Sequence, residues 1–217
     1  MKRLLLPLAA TAMIILAADA HAQSADQLLR DIQHRWAEIN YQAPEQDRAA
    51  AFEALAHKAE LAANTHPGDA RLVTWEGIVY STWAGAKGGL GALGLAKSAR
   101  RYFEQAIEID GTALAGSAHT SLGVLYHEVP GWPLGFGSET KARTELETGL
   151  KLNPDGIDSN YFLGTWLMDQ KHYAEASVRL NHALEAPPRP GRPIADEGRR
   201  EEVRQALKQL ERQLARN

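Results

Sequence analysis

The segment from 156 to 189 decides the fold of this chain. Its sequence is GIDSNYFLGTWLMDQKHYAEASVRLNHALEAPPR, 34 residues long. Apolar residues recur three and four positions apart, as on amphipathic helices, and alternating runs of β-branched residues are missing. The pattern is set by Leu163, Gly164, Leu167, Ala176, Leu180, Ala183 and Pro188. The segment is therefore expected to form a helical hairpin.

Two earlier segments follow the same pattern, which makes the hairpin a repeat. From about 116 the corresponding residues are Leu122, Gly123, Tyr126, Ala142, Leu146, Gly149 and Pro154. From about 70 they are Gly77, Tyr80, Ala99, Phe103 and Ala106. A small residue where two helices cross allows their backbones to approach, and a large residue one turn away fills the remaining gap. Because one hairpin leaves a face uncovered, about three stacked hairpins with caps are needed for stability.

The flanking segments supply the caps. Residues 25–64 form a degenerate fourth hairpin, and a Pro-rich linker, 187–193, precedes a final helix. That helix has one apolar stripe at helical spacing, made by Val203, Leu207, Leu210 and Leu214. The expected organisation is a signal peptide at 1–22, a degenerate hairpin at 23–69, three repeats at 70–190 and a C-terminal capping helix at 191–217.

These repeats resemble the tetratricopeptide repeat, in which Leu-Gly and Tyr on the first helix precede Ala, a large apolar residue, Ala and Pro on the second. The chain departs from that pattern at Val73, His119 and Asn160, which replace the first-helix Trp, and at Gly149, which replaces an alanine. The predicted fold is all-α: a solenoid-like stack of about three tetratricopeptide hairpins with the two flanking elements.

The first residues predict export. Lys2 and Arg3 precede an apolar run from Leu4 to Ala18, and a small-x-small site ends at Ala22, where cleavage is expected. We therefore expect the protein in the periplasm, with secretion as the second choice. No other segment is long and apolar enough to span a membrane. The chain has no cysteine and a formal charge of −3. Its acidic body, residues 23–188, argues against nucleic acid as a partner.

Two hairpins carry extra residues at equivalent places. The spacing from the first-helix glycine to the second-helix alanine is 12 in the last repeat, against 19 and 22 in the two earlier ones. We therefore expect enlarged loops at 129–137 and 85–94, both on one edge of the stack. The second contains Gly89-x-Gly91-x-x-Gly94. No strand precedes this sequence, so it is interpreted as a flexible loop and not as a dinucleotide site.

The aromatic residues divide into two groups. Trp75, Trp83 and Trp166 lie beside repeat positions and are expected in the core. Trp132 and Phe136 lie in the Pro/Gly-rich loop, outside the repeat pattern. They either fold back onto the stack or contact a partner or an apolar ligand, and the sequence leaves both alternatives open.

No catalytic or metal motif is recognisable. No two histidines of the mature chain lie four residues apart on a helix, and no Gly-x-Ser-x-Gly occurs. We expect no cofactor and no enzymatic activity. The enzyme alternative would require His127, Glu128 and a residue of the 127–137 loop to meet in space.

A second resemblance concerns small exported tetratricopeptide-repeat proteins and, more distantly, the T component associated with TRAP transporters. It rests on residues 70–190, in particular Gly135, Gly137, Lys141 and Ala142 at the opening of a second helix. That family implies a periplasmic, oligomeric, non-enzymatic partner of a substrate-binding protein, with apolar ligands. An envelope-assembly scaffold is the alternative.

The resemblance also implies a concave partner-binding face made by first-helix residues. By position these are Arg71, Thr74, Ile78, Thr120, Val124, His127, Asp158, Tyr161, Thr165 and Asp169. The Lys and Asn clamp for a C-terminal carboxylate is missing. Because Asp158 and Asp169 occupy this face, a neutral or basic protein segment is the expected guest.

Overall fold

A computed structural model describes residues 23–215. Within this range the chain forms nine α-helices and no β-strand, apart from a single bridge between Gly131 and Gly137. The helices are α1 (Ala25–Gln42), α2 (Glu45–Thr65), α3 (Ala70–Lys87), α4 (Gly89–Asp110), α5 (Ser117–Glu128), α6 (Glu139–Leu152), α7 (Ile157–Asp169), α8 (Tyr173–Glu185) and α9 (Pro193–Leu214). The predicted signal peptide, residues 1–22, lies outside the described residues.

The helices pack in consecutive pairs, and each pair stacks on the next along the chain. The pairs are α1 with α2, α3 with α4, α5 with α6, and α7 with α8. The predicted all-α stack of hairpins is therefore confirmed. None of the helices formed by residues 23–215 is both long and apolar enough to cross a membrane.

Glycines on the first helices explain the close approach within each repeat. A Cβ atom at Gly77 would lie 2.6 Å from the Phe103 ring, and one at Gly164 would lie 2.9 Å from Leu180. Gly123 makes the same approach to Leu146. Any larger residue at these positions would force the helices apart, so the predicted pairing of a small residue with a large one fixes the hairpin geometry.

The prediction of an enlarged loop at 85–94 is wrong. Helix α3 continues to Lys87 and α4 begins at Gly89, so only Gly88 separates them. Gly88 and Gly89 have φ values of 60° and 61°, which glycine adopts without strain. The remaining residues are rich in alanine and leucine, and their helix propensity outweighs the cost of Gly91 and Gly94. The extra residues of this repeat lengthen both helices instead of forming a loop.

The predicted loop after α5 is present, and its backbone is closely folded. The amide of Gly137 donates to the Pro130 carbonyl at 3.0 Å, and the amide of Ser138 donates to the Tyr126 carbonyl at 2.9 Å. A Cβ atom at Gly135 or Gly137 would collide with the backbone of Val129 and Pro130. The loop therefore returns directly to α5, and Ser138 then caps the start of α6.

The C-terminal helix does more than cap the last hairpin. Of the predicted apolar stripe, Val203 and Leu210 are buried where α9 packs against α8, Leu207 is half-buried, and Leu214 is 53% exposed. The helix also contacts α7 and α1, the first helix of the described chain. Gly198 lies so close to the ring of Tyr41 that any side chain there would collide with it. The stack is therefore closed by contact between its two ends.

Candidate functional site

The first helices of the stack, together with α4, line a partly open cavity on the concave side. Its volume is about 1020 Å³. Helices α1, α3, α5 and α7 contribute to its lining, and the 187–192 segment and α9 complete it. Because the C-terminal segment crosses from α8 to α1, it narrows the concave groove to a cavity that remains partly open.

Most of the lining is apolar. The apolar lining residues include Trp36, Trp75, Ile78, Leu93, Val124 and Phe162. Trp36 and Trp75 pack edge to face with ring centroids 5.8 Å apart, and the Trp36 indole donates to the Thr82 hydroxyl at 3.0 Å. The indole nitrogen of Trp36 is therefore satisfied, and this pair presents mainly apolar surface.

Both hairpin tips with extra residues reach this cavity. Gly85, Gly89 and Leu93 line it from the α3/α4 tip, while Pro130 and Leu134 line it from the α5/α6 loop. Both regions were expected on one edge of the stack, and both line the same cavity, although the first is helical.

The backbone is strained at one point of the lining. Leu114 and Ala115 have φ values of 51° and 52° in the short 3-10 turn Ala113–Gly116 between α4 and α5. Left-handed backbone is unfavourable for residues other than glycine and concentrates at functional sites. Both residues line the cavity, so the strain lies where a ligand would contact the protein.

A cluster of charged residues closes one end of the cavity. Asp158, at the start of α7, accepts hydrogen bonds from Arg189 and from Arg199, the latter at 2.8 Å. Burial opposes the charge of Asp158, but Arg199 and Arg189 outweigh it and hold the pKa of this carboxyl well below its usual range. Arg199 also lies over the rings of Tyr161 and Phe162, at 4.6 and 4.4 Å.

Two of the residues expected on the concave face are engaged within the fold. Asp158 does not offer a free carboxylate to a basic guest, because Arg189 and Arg199 already neutralise it. Thr74 is fully buried and donates to the Ala70 carbonyl at 2.7 Å, so its side chain cannot contact a partner. Position within the repeat placed Asp158 and Thr74 on the concave side, but it does not show which side chains pack against them.

The other predicted partner-binding residues divide between the cavity and the outer surface. Ile78, Thr120 and Val124 line the cavity. Arg71 forms ion pairs with Asp26 at 2.8 Å and Asp69 at 2.7 Å at the start of α3. Thr165, half-buried on α7, donates to the Phe162 carbonyl at 3.1 Å.

His127 and Asp169 meet in a separate cluster. The Nε2 atom of His127 lies 3.0 Å from Asp169, and its Nδ1 atom lies 3.0 Å from Glu139. Burial alone would lower the pKa of His127, but the hydrogen bonds to Asp169 and Glu139 outweigh it and raise the pKa. Both ring nitrogens are therefore engaged. Glu128, the neighbouring residue, lines the cavity instead of joining this cluster.

The two loop aromatics have different environments. Trp132 is 89% exposed, whereas Phe136 is half-buried against Tyr126, with ring centroids 6.1 Å apart. The guanidinium of Arg100 lies 4.6 Å from the Phe136 ring. Phe136 therefore anchors the loop on the stack, and Trp132 is presented to the surroundings together with Leu134, which is 75% exposed.

In the described part of the chain, no group of three or more His, Asp or Glu side chains could hold a metal ion. No protein family matches this sequence, and no curated protein is significantly similar to it.

Proposed function

We propose that the protein is a non-enzymatic tetratricopeptide-repeat protein of the periplasm that holds an apolar ligand in its concave cavity. The observation that carries this proposal is the partial closure of the concave face by α9 and the 187–192 segment. The cavity of about 1020 Å³ has the size and the mainly apolar lining of small-molecule sites, which measure roughly 300–1,000 Å³.

Closure also favours a small ligand over a long peptide. Repeat proteins that bind peptides use an extended, open concave surface. Here Arg199 reaches from α9 to Asp158 on α7, and Arg192 lies over Trp75 on α3. A long peptide would have to break these contacts, whereas a small apolar molecule would not.

Binding of a neutral apolar dye tests this proposal. N-phenyl-1-naphthylamine fluoresces more strongly in apolar surroundings, so the mature protein should enhance its emission. Val124→Trp places a bulky side chain in the cavity and should reduce the enhancement. Val178→Trp is the matched control, because Val178 is 60% exposed on α8, outside the cavity lining. Equal enhancement by the two variants would refute the proposal.

A second function, engagement of a partner protein, is supported by the loop at 129–137. Trp132 and Leu134 are both large, apolar and exposed, and residues of this kind often form the centre of an interface. Leu134 also lines the cavity, so a partner bound to this loop would lie next to the ligand. The resemblance to T components of TRAP transporters makes a periplasmic substrate-binding protein the first candidate, and an envelope-assembly scaffold is the alternative.

Crosslinking from the loop in intact cells distinguishes these partners. A photoreactive amino acid at position 132 should crosslink to a substrate-binding protein if the uptake role holds, and to an envelope-assembly component if the scaffold role holds. A photoreactive residue at Val178 provides the control for non-specific capture. The partner role fails if position 132 captures nothing beyond what position 178 captures.

A further inference from the structure

Arg192 lies in the lining of the cavity without a polar partner. It immediately precedes α9, and its guanidinium lies 5.0 Å from the centroid of the Trp75 ring. Its Nε atom is fully enclosed and forms no hydrogen bond within the described chain. The buried donor of a charged group is normally satisfied, and one without an acceptor is unfavourable.

The neighbouring arginines show that this arrangement is specific to Arg192. Arg189 pairs with Asp158 and with Asp196, the latter at 2.6 Å, and Arg199 pairs with Asp158 and Glu202. The carboxylates of the cluster are thus already engaged by the other two arginines. Among residues 23–215, Arg100 also has a buried Nε without a hydrogen bond, but that atom lies 3.5 Å from Glu104.

In the part of the chain that the structure describes, Arg192 therefore has no carboxylate of its own to balance its positive charge. Burial, and then repulsion from Arg189, lowers the pKa of Arg192. Asp158 and Asp196 act in the opposite direction but do not outweigh these two effects. A hydrogen-bond acceptor with one negative charge, placed beside Arg192, would satisfy its Nε donor and neutralise its positive charge.

We infer that the cavity binds an amphiphile whose carboxylate head group pairs with Arg192 and whose apolar chain lies along the first helices. This inference rests on the proposed ligand-binding function and adds the class of ligand. The planar guanidinium matches a carboxylate with two parallel hydrogen bonds. Ile78, Val124 and Phe162 provide the apolar surface for the chain.

The surrounding charges select among head groups. A cationic head beside Arg192 would be repelled by this guanidinium, because the carboxylates of the cluster are paired with Arg189 and Arg199. A phosphate monoester would bring a second negative charge close to Asp158 and Asp196, which interact with the Arg192 site. A neutral head would leave the guanidinium without a counter-charge. A single carboxylate is the head group that fits best.

Calorimetric titration of the mature protein with four probes of equal chain length tests the inference. The probes are dodecanoate, dodecyl phosphate, dodecanol and dodecyltrimethylammonium. Dodecanoate should bind at least about tenfold more tightly than dodecanol, since hydrogen bonds to charged groups contribute that much or more. The cationic probe should bind most weakly, and dodecyl phosphate more weakly than dodecanoate.

Variants at Arg192 test whether this residue causes the preference for dodecanoate over dodecanol. Arg192→Met keeps the apolar stem and should weaken dodecanoate binding by about tenfold or more, while changing dodecanol binding less than about twofold. Arg192→Lys retains the charge and should recover part of the affinity. Arg204→Met is the matched control on α9, because Arg204 pairs with Glu197 and Glu201 on the surface.

The outcomes separate this inference from the proposed function. If dodecanol and dodecanoate bind equally well, the cavity is a ligand site but the carboxylate assignment is wrong. The assignment is also wrong if Arg192→Met weakens both probes alike, or if the phosphate or the cationic probe binds best. If none of the four probes binds, the proposed function fails as well. The titration of the unsubstituted protein with the four probes tests the inference even if a variant fails to fold.

Discussion

The phenol of Tyr41, near the end of α1, lies 3.4 Å from the carboxylate of Glu202 in α9, and 161 positions separate the two residues in sequence. Burial raises the pKa of Tyr41 to about 12, so the phenol is the donor at neutral pH. This contact joins the two ends of the helical stack. It holds α9 beside the concave face, where Arg199 of this helix lines the cavity.

Removal of residues 195–217 should therefore have two effects. The exposed apolar flank of α8 should cause association, because the ends of a helical stack require polar caps. The cavity should also lose one side, so the enhancement of dye fluorescence should fall. Light scattering and dye titration of the truncated protein measure these effects. A truncated protein that remains monomeric and binds dye normally would show that α9 neither caps the stack nor closes the cavity.

Trp132→Ala and Phe136→Ala should differ in stability. Trp132 is exposed, so its removal should change the free energy of unfolding by less than about 0.5 kcal/mol. Phe136 packs on Tyr126 and Arg100, so its removal should cost roughly 2 kcal/mol. Chemical denaturation measures both. Partner capture, compared at equal folded fraction, should fall for Trp132→Ala. A large loss of stability for Trp132→Ala with normal capture would mean that this side chain packs on the stack.

The fold was largely predictable from the sequence, because helical packing constrains single positions strongly. Gly77, Gly123 and Gly164 each approach a large residue of the partner helix, and such constraints recur at fixed spacing. The extent of individual helices was harder to predict. Glycines at 85–94 suggested a loop, but only Gly88 and Gly89 have positive φ values in this stretch, and the intervening alanines and leucines remain helical.

The candidate site was less predictable, since it depends on contacts between distant segments. Ile78 and Val124 could be placed on the concave side by position within the repeat. The pairing of Asp158 with Arg189 and Arg199, and the position of Arg192 over Trp75, arise only when α9 returns to α1. Such contacts produce no periodic signal in the sequence.

Glu76 should make stability depend on pH. It is 4% exposed on α3, and burial raises its pKa to about 7. In the folded protein this carboxyl holds a proton that the unfolded chain releases above pH of about 4.5, so its contribution destabilises the fold as pH rises from about 5 to 8. Glu76→Gln should raise the free energy of unfolding at pH 8 by about 1 to 3 kcal/mol and flatten this dependence. If the free energy of unfolding changes equally with pH in both proteins, Glu76 is not the source of this pH dependence.

His127 should also make the folded protein less stable as pH rises, but through loss of a positive charge that the fold stabilises. Its pKa is raised in the folded protein, so the imidazolium is stabilised by Asp169 and Glu139. That stabilisation is complete below the unfolded pKa of about 6.5 and is lost as pH rises through the higher folded value. His127→Gln should remove this part of the pH dependence without changing dodecanoate binding. NMR titration of the imidazole provides the independent check, and a folded pKa below 6.5 would refute the proposed balance of interactions.

The most direct test of the cavity as a ligand site is a crystal structure of residues 23–217 with dodecanoate that carries a terminal bromine atom. Anomalous scattering locates the bromine without assumptions about the fit of the chain. We predict a bromine peak inside the cavity near Ile78 and Val124, a carboxylate within hydrogen-bond distance of Arg192, and α9 still in contact with Tyr41. A peak on the outer surface, for example beside Trp132, or a concave face left open by displacement of α9, would contradict the account.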